Sequence, residues 1–414
     1  MRRGAVLCVV LGTAYILLAL NVHSYFLYAG MLASVGHDLH FESHVPVWRR
    51  WALCWANGTW DRLSESSATD YRQNGFAFTI PSPAAADNYT WTVHSAALEC
   101  DGTPFVKFDR LEFCRVLNGR TIFIVGDSLS RRLSDSLEML ASPRHIGGKM
   151  SAFSFPYRTS VYNVTICADV RPAEVRSLLN WFGGKLELSS ELRYRNVSSA
   201  CGIDVNGGKV PTSAPRACRA INVVPGSASD RIWGVDEFIE PLPGAIVILN
   251  QGMHYEPTRK LVPRLHAIMS LLTARLPSDA TIIWRNTAPG HANCSLYSAP
   301  LLTPQTGPLP NQWRAIVEQN SDVEQVIATF PRAIYWDIAT STALRADMHT
   351  SAMKQPKDDG DCAHYVSRAP SPVDSWVRGL FNVLRMKSLG ATAIVHPTRG
   401  APLRRSLGTA RSRQ

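Results

Sequence analysis

Gly126-Asp127-Ser128 ends a run of β-prone apolar residues at 121–125 and opens a stretch of helical spacing at 129–140. A glycine there permits a sharp turn. A serine at the start of the helix lies near the positive end of its dipole and beside backbone N–H groups able to hold an oxyanion. The same triplet also suits plain capping, since Asp and Ser are favoured caps, so nucleophile and cap both remain open readings. A serine hydroxyl needs a base to take its proton. Far along the chain, DGDCAHYVSR supplies one in His364, with Asp361 three residues before it. At that spacing the carboxylate can accept from one imidazole nitrogen while the other faces outward.

Elements must bring these distant groups together. The apolar runs at 121–125, 245–249, 281–284 and 333–338 read as buried strands, and 129–140, 259–275, 312–328 and 373–386 have helical spacing. Such alternation predicts an α/β fold with a mainly parallel sheet covered on both faces, its reactive groups at the carboxyl ends of strands. Residues 143–235 are rich in Gly and Ser and read as insertions. The Trp- and Cys-rich stretch from residue 51 reads as irregular structure stapled by disulfides and packed on the main domain. The expected division is 1–35 cytosolic tip and membrane anchor, 36–118 stem and Cys/Trp-rich segment, 119–386 catalytic domain, and 387–414 basic disordered tail.

With 414 residues, 45% of them hydrophobic, the chain has material for a substantial core. The +10 formal charge is concentrated at the ends, in Arg2, Arg3 and a C-terminal stretch without acids, which argues against a nucleic-acid surface. Residues 4–33 are almost uncharged and long enough to cross a bilayer. Arg2 and Arg3 orient the span as a type II anchor with the rest of the chain luminal, the alternative being a cleaved signal peptide. Asn57, Asn88, Asn163, Asn196 and Asn293 begin N-glycosylation sequons. Apart from Cys8, the cysteines are Cys54, Cys100, Cys114, Cys167, Cys201, Cys218, Cys294 and Cys362, an even set suited to an oxidising compartment.

The order of several blocks resembles a known family. IFIVGDSLSR, LNQGMHYEP (249–257), WRNTAPGHANC (284–294), RADMH (345–349) and DCAHY (361–365) are similar to blocks of the GDSL/SGNH hydrolase superfamily. With the preceding CWANGTWD and FCRVLNGR stretches, they resemble its membrane-anchored trichome birefringence-like (PC-esterase) branch, which O-acetylates cell-wall polysaccharides. The resemblance implies a three-layer α/β/α fold, Ser128 as nucleophile, His364 as base and Asp361 as its orienting acid. Gly126, Asp127, Asn250 and Gly252 would belong to the oxyanion and substrate residues. Of the residues that remain, one reading makes His254, His291, Asp347 and His349 part of the acceptor groove, with Arg285 nearby to hold an acyl donor or sugar hydroxyl. Val366 stands where that branch commonly has a second cysteine, so Cys362 pairs elsewhere or stays free.

A second reading makes His291, Asp347 and His349 metal ligands beside His364, but the set lacks the close pair typical of zinc sites, and no metal is expected. A third makes His291 a turn residue bonded to backbone. The resulting expectation is a Golgi-membrane O-acetyltransferase with a polysaccharide acceptor, an acetyl donor as co-substrate and no tightly bound cofactor. The alternatives are a polysaccharide O-acetylesterase using the same triad and a non-catalytic glycan-binding protein.

Overall fold

The computed structural model describes residues 52, 54–63, 89–94, 105–142, 161–179, 186–192, 196–203, 211–213, 232–252, 256–305, 313–349, 361–366 and 371–395. The expected membrane anchor lies outside these residues. Among the described residues, no helix is long and apolar enough to cross a membrane.

The fold is α/β with a mainly parallel central sheet. Strands β1 (Gly58–Arg62) and β2 (Tyr89–Val93) form a separate antiparallel hairpin. The six-stranded sheet contains β3 (Ile122–Gly126), β4 (Val161–Ile166), β5 (Ala173–Leu179), β6 (Ile246–Leu249), β7 (Thr281–Arg285) and β8 (Ala333–Trp336), in the order β4-β5-β3-β6-β7-β8. All neighbours run parallel except the edge strand β4, which is antiparallel to β5. The chain leaves β3 toward one side of the sheet and later returns to the other side at β6. The order therefore reverses between β3 and β6, and loops diverging from such a point leave a crevice at the strands' carboxyl ends.

Strands β3, β6, β7 and β8 are buried at every residue, because helices cover both sheet faces. Ile122 and Ile124 join one core with α1 (Arg110–Leu117), α2 (Ser128–Ala141) and α5 (Pro372–Val395). Their alternates Phe123 and Val125 join a second core with α3 (Thr258–Arg275) and α4 (Trp313–Ala328). The period of two along one strand thus feeds two hydrophobic layers.

Three expectations need correction. The tryptophan-rich segment is partly regular: Trp60 pairs with Trp91 in the hairpin, and the Trp60 indole donates to Ser341 O at 2.8 Å. The difficult region 143–235 contributes two strands of the main sheet, β4 and β5. The last helix continues to Val395, past the expected boundary at 386. Disulfides join Cys114 to Cys167 and Cys294 to Cys362. Cys54 and Cys201 are also disulfide-bonded.

Candidate active site

At the carboxyl end of β3, Gly126 lies so close to its neighbours that an added Cβ would meet Ser130 Oγ at 2.3 Å and Asn250 O at 2.9 Å. The chain then turns into α2. Asp127 is the cap: its carboxylate accepts from Leu129 N at 3.0 Å and Ser130 N at 3.4 Å. Capping by Asp127 leaves the hydroxyl of Ser128, the first residue of the helix, for another partner. That partner is His364, with Ser128 Oγ 2.5 Å from its Nε2. The two readings of the triplet therefore fall on adjacent residues.

Asp361 holds His364 from two sides. Its Oδ2 lies 2.6 Å from His364 Nδ1, and its Oδ1 accepts from the backbone N–H of His364 at 3.0 Å and of Ala363 at 3.1 Å. Burial pushes the Asp361 carboxyl up, but the bonds from His364 and Ala363 outweigh it and hold the group well below the carboxylate range. A charged Asp361 accepts Nδ1–H, which leaves Nε2 bare to accept the Ser128 proton. Ser128 and His364 are both partly exposed, so a substrate can approach them.

Behind the triad the polar groups are engaged with one another. The Asn250 amide donates to Arg285 O at 2.9 Å and to Thr287 Oγ1 at 3.0 Å. Both its hydrogens are spent there, so in this arrangement Asn250 braces β6 against β7 and offers no donor to an oxyanion. Gly252 stands where it does because a Cβ would lie 1.8 Å from Thr287 Oγ1. Arg285 is wholly buried rather than set in a groove; its Nη2 donates to Ser130 Oγ at 3.0 Å and lies 3.7 Å from Asp127 Oδ1. Burial lowers its pKa to about 10, which still leaves it charged. No family model and no curated protein matches this chain.

His291 is also placed away from a groove, at 2% exposure, and His349 is fully buried. His291 Nδ1 lies 2.7 Å from His349 Nε2, while its Nε2 lies 2.8 Å from Ala343 O. Two imidazole nitrogens bound to one tetrahedral zinc, each about 2.0–2.1 Å from the ion, stand about 3.3–3.4 Å apart, so the 2.7 Å contact is that of a hydrogen bond between the rings. Asp347 is occupied by Arg345 through contacts of 2.8 and 3.0 Å. Among the described residues, no cluster of three or more His, Cys, Asp or Glu is arranged to hold a metal. The backbone-bonded reading describes His291 best, although its other partner is a second histidine. His254 and Asn88 lie outside the described residues. Asn57, Asn163, Asn196 and Asn293 are exposed, as glycan acceptors must be.

Sequence reasoning left Cys362 without a partner. It is bonded to Cys294, and His291 N donates to Cys362 O at 3.1 Å, so the segment carrying Asp361 and His364 is fastened to the loop after β7. The signal was present only as two cysteines in blocks singled out for other reasons.

Proposed function

We propose that this chain is an O-acetyltransferase of the SGNH type that moves acetyl groups onto a polysaccharide in the Golgi lumen. The observation that carries the proposal is the continuous contact Ser128 Oγ, His364 Nε2, His364 Nδ1, Asp361 Oδ2 at the carboxyl end of the central strand. Further support comes from the parallel sheet, from the disulfides and exposed sequons that suit a luminal protein, and from the similarity of the sequence blocks to the trichome birefringence-like branch.

Ser128 Oγ attacks the carbonyl carbon of the acetyl donor as its proton passes to His364 Nε2, and Asp361 stabilises the imidazolium. The tetrahedral oxyanion forms beside the N–H of Ser128, which as the first residue of α2 has no intrahelical acceptor. Collapse expels the donor's leaving group, which takes the proton back from His364. A sugar hydroxyl then attacks the acetyl-serine, gives its proton to His364 and leaves as the acetyl ester, restoring Ser128. Hydrolysis is the second reading, favoured by the side-chain exposure of His364 (30%) and Asp361 (42%), which admits water to the base.

The test incubates the full-length protein with an unacetylated glycan plus donor, and separately with an acetylated glycan. Transfer that falls about a thousandfold or more in Ser128→Ala and in His364→Ala is expected. Acetate release without transfer would select the esterase, turnover unchanged in Ser128→Ala would exclude the triad mechanism, and binding of the glycan with no turnover in either incubation would select the glycan-binding reading.

A further inference from the structure

His364 reaches the serine only if its own peptide is held still, and the structure shows what holds it. Its N–H donates to Asp361 Oδ1 at 3.0 Å, within the same short segment. Its carbonyl faces His349 Nδ1 at 3.2 Å, across to a different part of the chain. His349 is fully buried, pairs with Tyr365 in an isolated antiparallel bridge, and lies with its ring centroid 4.1 Å from that of Tyr365. Beside it, Val366 N donates to Met348 O at 3.1 Å. From these contacts we infer that His349 is a positioning residue for the base: its Nδ1–H grips the His364 carbonyl, and His291 fixes the tautomer that makes the grip. The inference rests on the triad reading above.

The hydrogens can be counted. Three contacts form a chain: Ala343 O to His291 Nε2, His291 Nδ1 to His349 Nε2, and His349 Nδ1 to His364 O. Each needs one hydrogen, and two neutral rings supply only two. When His291 donates from Nδ1 to His349 Nε2, the hydrogen of His349 must sit on Nδ1, facing His364. The contact left without a hydrogen is then the one at Ala343, remote from the triad. The opposite tautomer would bond Ala343 and leave the His364 carbonyl against a bare nitrogen, with the catalytic segment held by one tie fewer.

Glutamine and asparagine separate the two ends of His349. In His349→Asn the amide falls near Nδ1 and can still donate to the His364 carbonyl; in His349→Gln it falls near Nε2 and keeps only the His291 contact. The probe is a fluorophosphonate, whose fluoride Ser128 Oγ displaces while His364 takes the proton, so that labelling reads activation of the serine without any glycan. Labelling of the full-length protein that is lost in Ser128→Ala and in His364→Ala establishes Ser128 as a nucleophile activated by His364, independently of the substrate. Against that control, His349→Gln is expected to label roughly 10- to 100-fold more slowly, with kcat for acetyl transfer falling and KM unchanged, while His349→Asn stays near the unsubstituted rate. Equal rates in all three proteins, or equal losses in both variants, would overturn the positioning role and leave the triad intact. Labelling that persists in Ser128→Ala would defeat the triad reading itself. If neither variant folds, nitrogen NMR of the unsubstituted protein decides: a protonated, hydrogen-bonded His349 Nδ1 supports the grip, and a bare Nδ1 refutes it.

Discussion

At the scale of single residues, the site depends on which nitrogen of His364 carries its proton. Asp361 decides this as a charged acceptor, 2.6 Å from Nδ1. Replacing it with Asn keeps the Oδ1 that accepts from the His364 and Ala363 backbones but places an NH2 where Oδ2 was. The ring must then turn its lone pair to Nδ1 and its hydrogen to Nε2, facing Ser128, where it can no longer take a proton. Asp361→Asn is therefore expected to lower kcat by about 10^3- to 10^4-fold while the melting temperature changes little. A variant that retains most of its turnover would show that Asp361 holds the segment without tuning the base. The pair was legible in the sequence because its three-residue spacing is local. The grip on its carbonyl by His349, 15 positions away, was not, since nothing in the chain between them marks the contact.

At the scale of elements, the reactive turn is set by the fit between β3, β6 and α2. Gly126 sits where three pieces of chain converge, and no rotamer change can move the Asn250 carbonyl that a Cβ would approach. Gly126→Ala should cost about 1–3 kcal/mol of stability through overpacking. Because β3 and α2 meet at this turn, it should also displace Ser128 from His364 and slow fluorophosphonate labelling. Denaturant unfolding and labelling rates measure the two effects, and loss of stability with full labelling would separate the turn from the chemistry. The same elements show why part of the fold was readable. Strands β3, β6, β7 and β8 are buried on both faces, so each appears as an unbroken apolar run. Strand β4 is an edge strand with Asn163 and Thr165 exposed, and β5 carries Glu174 and Arg176 among its buried residues, so neither makes such a run. The Cys294–Cys362 bond was equally invisible, because sequence gives the parity of cysteines and not their pairing.

At the scale of the whole molecule, the two buried imidazoles make the fold less stable in acid. Burial holds the His291 pKa below the usual imidazole range; burial and then the neighbouring His291 hold that of His349 well below it. The groups around the pair are Asp347 and Arg345, which bond each other, together with Tyr365, Asp361 and His364. In the unfolded chain both histidines take up protons near pH 6.5, whereas the folded protein refuses them. Unfolded molecules therefore bind more protons below that pH, and stability falls as the pH falls, with no contribution from the pair above it. The slope is at most about 1.4 kcal/mol per pH unit for each ring that stays neutral. Asp361 works in a separate window. Its lowered pKa stabilises the fold above the ordinary carboxylate value, near 3.9, and that contribution is lost only as the pH falls further, through the folded value. Between pH 6.5 and about 4.5 the histidines are opposed by Asp374 and Asp135, whose carboxyls burial pushes up to about 8 and about 6, so that the fold holds protons there that the unfolded chain releases. Those carboxyls are common to both proteins, so His349→Asn, which removes the more strongly shifted ring, should make melting temperature fall less steeply with acid than in the unsubstituted protein across that interval. Parallel melting curves for the two proteins across the interval would mean that the buried pair accepts a proton in the folded state as readily as in the unfolded one. The third hydrogen would then be present in the chain of contacts, bonding the carbonyls of Ala343 and His364 at once.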